Sequence, residues 1–97
     1  MTPLQFIKLF QKQEAIEIFT NGLCYWFAFL LKGRFPDGEI MYDEVANHFG
    51  CAIANRVYDI TGDITDSYSW ESWGDYYWRE PLNGARIVRD CILKENP

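Results

Sequence analysis

A chain of 97 residues and 11.4 kDa has enough length for one hydrophobic core and too little for a second catalytic domain. Residues 1–97 are therefore expected to form a single domain. Its 48% hydrophobic and 18% aromatic content excludes intrinsic disorder. A net charge of -5, from 14 acids and 9 bases, argues against direct nucleic-acid binding.

In chain order, Thr2-Pro3 reads as a helix start, with a hydroxyl cap and proline in the first turn. Phe6, Ile7, Leu9, Phe10, Ile16 and Phe19 then recur at helical spacing and predict a helix near 3–18. Thr20-Asn21-Gly22 breaks the pattern, and a second helix is predicted from about 23 to 33. Its apolar run, Leu23 to Leu31, is about half of the ~20 residues that span a bilayer, so it reads as a buried helix. Phe35-Pro36-Asp37-Gly38 is a turn. Strands are predicted at 39–42, 48–53 and 56–61, the last two joined at Ala54-Asn55 as a tight hairpin. Residues 62–80 show no period but many aromatics. After Pro81 a last helix is predicted near 82–94, with Leu82, Ala85, Val88, Cys91 and Ile92 facing inward. This order predicts an α+β fold, with helices packed on a small antiparallel sheet.

Compartment follows from the cysteines and the start of the chain. Cys24, Cys51 and Cys91 are odd in number and far apart, which suits reduced thiols in a cytoplasmic protein. No charged segment followed by an apolar run opens the chain, so no signal peptide or membrane association is expected. With no close pair of ligands among the cysteines and His48, no metal or other cofactor is expected. Cys51 and Cys91 fall on inner faces and read as core.

The chemistry converges on three residues. Cys24 begins an apolar helix, where backbone N–H groups and the helix dipole favour a thiolate. His48 is the only histidine and opens a strand. A two-residue loop at Ala54-Asn55 pairs Ile53 with Arg56 and Gly50 with Asp59, so His48, Gly50, Ala52, Val57, Asp59 and Thr61 share one face. Asp59 is then the diagonal neighbour of His48. Asp63 has the same parity and is the second candidate. Small side chains at Gly50 and Ala52 leave room for the Cys24 helix to approach that face. The opposite face, with Phe49, Cys51, Ile53, Tyr58 and Ile60, is apolar. A thiol at a helix start, a histidine and an orienting acid are the parts of an activated nucleophile.

Gly22-Leu23-Cys24-Tyr25 resembles the G-x-C-[WY] core around the nucleophile of papain-like cysteine peptidases. The order Cys, His, Asp on adjacent strands is similar to the wider papain-like group, with its NlpC/P60 and transglutaminase-like members. Asn47-His48-Phe49, followed by Tyr58-Asp59-Ile60-Thr61-Gly62, resembles small papain-like proteins of bacteria and their phages. The resemblance covers residues 20–63. It implies a papain-like core, with Cys24 as nucleophile, His48 as general base and then acid, and Asp59 orienting His48. Papain-type enzymes carry a glutamine about six residues before the cysteine; here Asn21 stands in that region as the oxyanion donor.

Two functions are expected from this reading. The first is a cysteine hydrolase or acyltransferase that attacks a peptide, isopeptide or other amide through a Cys24 thioester. The second is a non-catalytic, phage-type inhibitor or protein-binding module, an anti-CRISPR-like nucleic-acid mimic. Residues 35–80 carry a net charge of -8, and Asp63, Asp66, Glu71, Trp73, Asp75 and Tyr77 would face a basic protein partner.

Overall fold

The computed structural model describes residues 1–20 and 23–93. Thr2 opens helix α1 (Pro3–Lys8) with a reciprocal cap: its hydroxyl accepts from the Gln5 N–H at 3.2 Å, and its own N–H donates to Gln5 Oε1 at 2.9 Å. Where the spacing predicts one helix, the chain makes two, with α2 at Gln13–Thr20. The break has a tertiary cause. Phe10, in the connecting turn, and Phe19, on α2, both reach Phe27, at ring distances of 5.6 and 5.1 Å. On one straight helix the two would stand ~13 Å apart along the axis and could not both touch that ring. Gln11 secures the turn by donating from Nε2 to the Ile60 carbonyl at 2.9 Å.

Helix α3 (Cys24–Arg34) is followed by strands β1 (Glu39–Asp43), β2 (His48–Ile53) and β3 (Arg56–Asp59), close to their predicted bounds. The aperiodic stretch contains two short strands, β4 (Gly62–Asp63) and β5 (Glu71–Ser72), and a helix, α4 (Trp73–Arg79). The last helix, α5, spans Pro81–Leu93, and the predicted end at residue 94 lies outside the described residues. All strand pairings are antiparallel in the order β4-β3-β2-β1-β5, so the architecture is α+β. Among the described residues, no helix is long and apolar enough to cross a membrane.

The β2–β3 register pairs Ile53 with Arg56, Ala52 with Val57 and Cys51 with Tyr58. The loop is therefore the two residues Ala54 and Asn55, both at positive φ (51° and 66°) as a tight turn between twisted strands demands. Pairing β1 to β2 adds Ile40 and Tyr42 to the apolar face, opposite Cys51 and Phe49. That face packs against Phe27, Ala28 and Leu31 of α3, Trp73 and Tyr76 of α4, and Ile87 and Cys91 of α5.

Here the structure corrects the expected approach of α3. The helix covers the Phe49–Cys51 face, with Tyr25 against Phe49 at 5.0 Å, and does not lie over Gly50 and Ala52. An amphipathic sheet packs its larger apolar side chains against the helix layer, because that arrangement removes the most apolar surface from water. The side chain that comes over Gly50 is Trp70: a Cβ built on Gly50 would stand 3.4 Å from the edge of that indole. The same Cβ would meet Val57 Cγ1 at 2.6 Å and the Tyr58 carbonyl at 3.1 Å. Gly50→Ala is accordingly expected to lower unfolding free energy by about 1–3 kcal/mol, measured by urea denaturation. An unchanged midpoint would mean that this close approach is absent in solution.

Candidate functional site

Cys24 is the first residue of α3, and His48 is the first residue of β2. The two meet at this end of the sheet, where the Cys24 sulfur lies close enough to bear on the charge of the imidazole. His48 Nε2 donates to Asp59 Oδ2 at 2.9 Å, which leaves Nδ1 outside that bond. All three residues are buried, with Cys24 6% exposed.

Asp59 is held by its own turn. Its second oxygen, Oδ1, accepts from the Thr61 N–H at 2.8 Å and from the Thr61 hydroxyl. This fixes the carboxylate so that Oδ2 points at His48. The stretch Asp59-Ile60-Thr61 is followed at once by Asp63-Ile64-Thr65, which makes the same bonds, Oδ1 accepting from the Thr65 N–H at 3.0 Å and from its hydroxyl at 2.6 Å. The second carboxylate is turned to Arg56, at 2.8 and 3.2 Å. Asp63 is therefore the partner of Arg56 and takes no part in orienting His48. The role of Thr61 was readable from the doubled Asp-x-Thr pattern, although motif reasoning assigned it none.

Electrostatics follow from burial and pairing. Burial opposes the charged form of His48, but hydrogen bonds to Asp59 and Cys24, with their charges, outweigh it and raise the imidazole from 6.5 to about 9. Burial likewise opposes ionisation of Asp59; the bonds from His48 and Thr61 override it and hold the carboxyl below its ordinary range. Near neutral pH the pair is imidazolium and carboxylate. Cys51, buried in the core, has its thiol pushed up to about 11 by desolvation. Cys91 is buried as well.

A second layer of side chains encloses the imidazole. Tyr68 stacks on it with ring centroids 4.8 Å apart and planes 26° apart, and Trp70 lies at 6.1 Å. The segment carrying them is tied down by Asp43, the β1 residue paired with His48. Asp43 Oδ2 accepts from the Ser69 N–H at 2.9 Å, and Oδ1 accepts from Val45 and Ala46 at 2.8 and 3.1 Å. The Ala46 bond first, then those of Ser69 and Val45 and the field of His48, outweigh burial and keep Asp43 below its usual range. Sequence reasoning missed Asp43 and Tyr68; only the folded chain brings residue 68 back across residue 48.

The remaining expected site residues are distributed differently. Asn21, the expected oxyanion donor, lies outside the described residues, as does Gly22. Trp73, which the sequence offers first as a core residue and only alternatively for a partner-binding face, is in the core, against Tyr42, Phe49 and Tyr76. Its indole is too large an apolar surface to leave wet when an aromatic sheet face is available. Glu71 is engaged by Arg79 through two bonds at 3.1 and 3.2 Å, and Asp66 stands 3.8 Å from Arg56. Asp75 and Tyr77 are exposed, next to Trp78 at 88% exposure. Among the described residues, no group of three or more His, Cys, Asp or Glu side chains is arranged to hold a metal ion.

Fold and site together define a small α+β protein with a buried cysteine–histidine–aspartate cluster at one end of its sheet. The chain belongs to the Phage YunG-like protein family, whose model matches residues 4–84 and so includes Cys24, His48 and Asp59. No curated protein and no solved structure matches it. The family match corrects the likeness to papain-like peptidases, since it spans most of the chain and no papain-like family matches. The G-x-C-[WY] motif that suggested the likeness is only a few residues long, and the same three side chains serve unrelated folds.

Proposed function

We propose that Cys24, His48 and Asp59 form a thiol centre for acyl transfer, acting on an amide or related acyl compound. The carrying observation is that one buried imidazole meets both the Cys24 sulfur and the Asp59 carboxylate. The proton shared by Cys24 and His48 resides on the imidazolium, and Sγ, as thiolate, bonds to the acyl carbon. The carbon–nitrogen bond then breaks, and the amine leaves with the proton from His48. Water or a second amine next attacks the thioester, gives its proton to the now neutral His48, and frees Sγ as thiolate, which restores the starting pair. Asp59 keeps the ring in register and balances the imidazolium throughout. Backbone N–H groups in the first turn of α3, which have no carbonyl partner of their own helix, suit the developing oxyanion.

The test uses p-nitrophenyl acetate as acyl donor and iodoacetamide as a small thiol probe, with adducts assigned to each cysteine by peptide mass spectrometry. Wild-type protein is expected to carry an acetyl group on Cys24. His48→Ala is expected to slow alkylation of Cys24 at pH 7 by roughly tenfold or more. An unreactive Cys24, or one indifferent to His48→Ala, would sink this reading. A second reading, recognition of a basic protein partner by segment 63–80, draws support from the exposed Asp75, Tyr77 and Trp78. The two separate by mutation. Cys24→Ala abolishes an acyl transferase and spares a binder, whereas reversing Asp66, Glu71 and Asp75 to Lys does the opposite.

A further inference from the structure

We infer that Tyr68 is a positioning residue of this site: its ring, anchored through the Ser69 N–H on the Asp43 carboxylate, stacks on His48 and holds the imidazole plane toward both Cys24 and Asp59. The inference rests on the reading of these three residues as a reaction centre. An imidazole hydrogen-bonded through Nε2 still has two faces, and water at either face competes for that bond. Tyr68 covers one face at 4.8 Å in a nearly parallel stack. Trp70, itself 5.2 Å from Tyr68, flanks the pair and rests over Gly50, where a larger residue would displace it. The Asp43–Ser69 bond joins β1 to this segment across 26 residues of chain, immediately beside Tyr68.

The stack has an electrostatic consequence too. An aromatic face carries negative potential and attracts a cation lying over it, so Tyr68 favours imidazolium over imidazole. The titratable groups that face His48 are Cys24 from α3, Asp59 from β3, Asp43 from β1 and Tyr68 itself. Among them Tyr68 is the one that acts through its ring face.

Because His48 is the only histidine, its ring nitrogens give unambiguous signals in a nitrogen-15 NMR titration. Tyr68→Phe keeps the ring face and is expected to titrate like wild type. Tyr68→Ala is expected to lower the His48 midpoint by about half a pH unit or more. Tyr68→Leu, which fills the space without a π face, is expected to shift in the same direction and guards against a poorly folded alanine variant. Alkylation of Cys24 at pH 7 should fall several-fold in both and stay near wild type in Tyr68→Phe. His48 titrating alike in wild type, Tyr68→Leu and Tyr68→Ala would overturn the inference. A shifted His48 beside a Cys24 that is inert even in wild type would uphold the positioning role and reject the acyl-transfer reading alone.

Discussion

Asp59→Ala is expected to lower the unfolding free energy by about 3–5 kcal/mol at pH 6, measured by urea denaturation. The physical reason is the burial of both partners. Asp59 and His48 are 5% and 9% exposed, and removing the carboxylate leaves a desolvated imidazolium with no counter-charge. The same substitution also strips the acceptor from the Thr61 N–H and hydroxyl, which loosens the β3–β4 turn. Asp59→Asn retains an acceptor for Thr61, so its loss should be smaller than that of the alanine variant. In both variants the penalty should shrink toward pH 9, because His48 can then be buried neutral. A loss of less than about 1 kcal/mol for Asp59→Ala would show that the ion pair does not form in solution.

The second large effect is in the pH dependence of stability. His48 rises from 6.5 to about 9 on folding, so the native state binds its proton more tightly than the unfolded chain. Its contribution is fully present below pH 6.5 and is lost as pH rises through 9, a change of about 3 kcal/mol. Asp59 behaves in the opposite sense: its carboxyl is lowered on folding, so its contribution is present above the usual carboxylate range and is lost as pH falls. The pair therefore adds most to stability between about pH 4 and 6.5. Cys51 and Tyr42, raised to about 11 and about 12 by burial, add a further loss at high pH. The difference between wild type and Asp59→Asn cancels that background. It should decline from pH 6.5 to 9.5, and a difference constant across that range would count against the raised imidazole.

How much of this was legible in advance depends on the range over which each feature is decided. The hairpin at Ala54-Asn55 is local, and its two-residue loop alone placed His48, Gly50 and Asp59 on one face by parity. The apolar run of α3 and the Thr2-Pro3 start were equally local, whereas on α5 Leu82 and Ala85, expected to face inward, are exposed and Ile87 is buried instead. The break between α1 and α2 was not local, because Phe10 and Phe19 converge on a ring that belongs to another helix. Strands β4 and β5 are two residues each, too short to show a period, and α4 is aromatic nearly all round.

The site divides along the same line. Residue order and parity by themselves determined that one cysteine, one histidine and one aspartate could converge at a helix start and a strand pair. Proximity to His48 in the hairpin put Asp59 ahead of Asp63, and the structure gives the second carboxylate to Arg56. The face that α3 covers, the Trp70 seat over Gly50 and the stack of Tyr68 on His48 were decided only by the tertiary structure. Each links residues about twenty or more positions apart, and their pairing is set by which arrangement removes the most apolar surface from water while leaving every buried charge a partner.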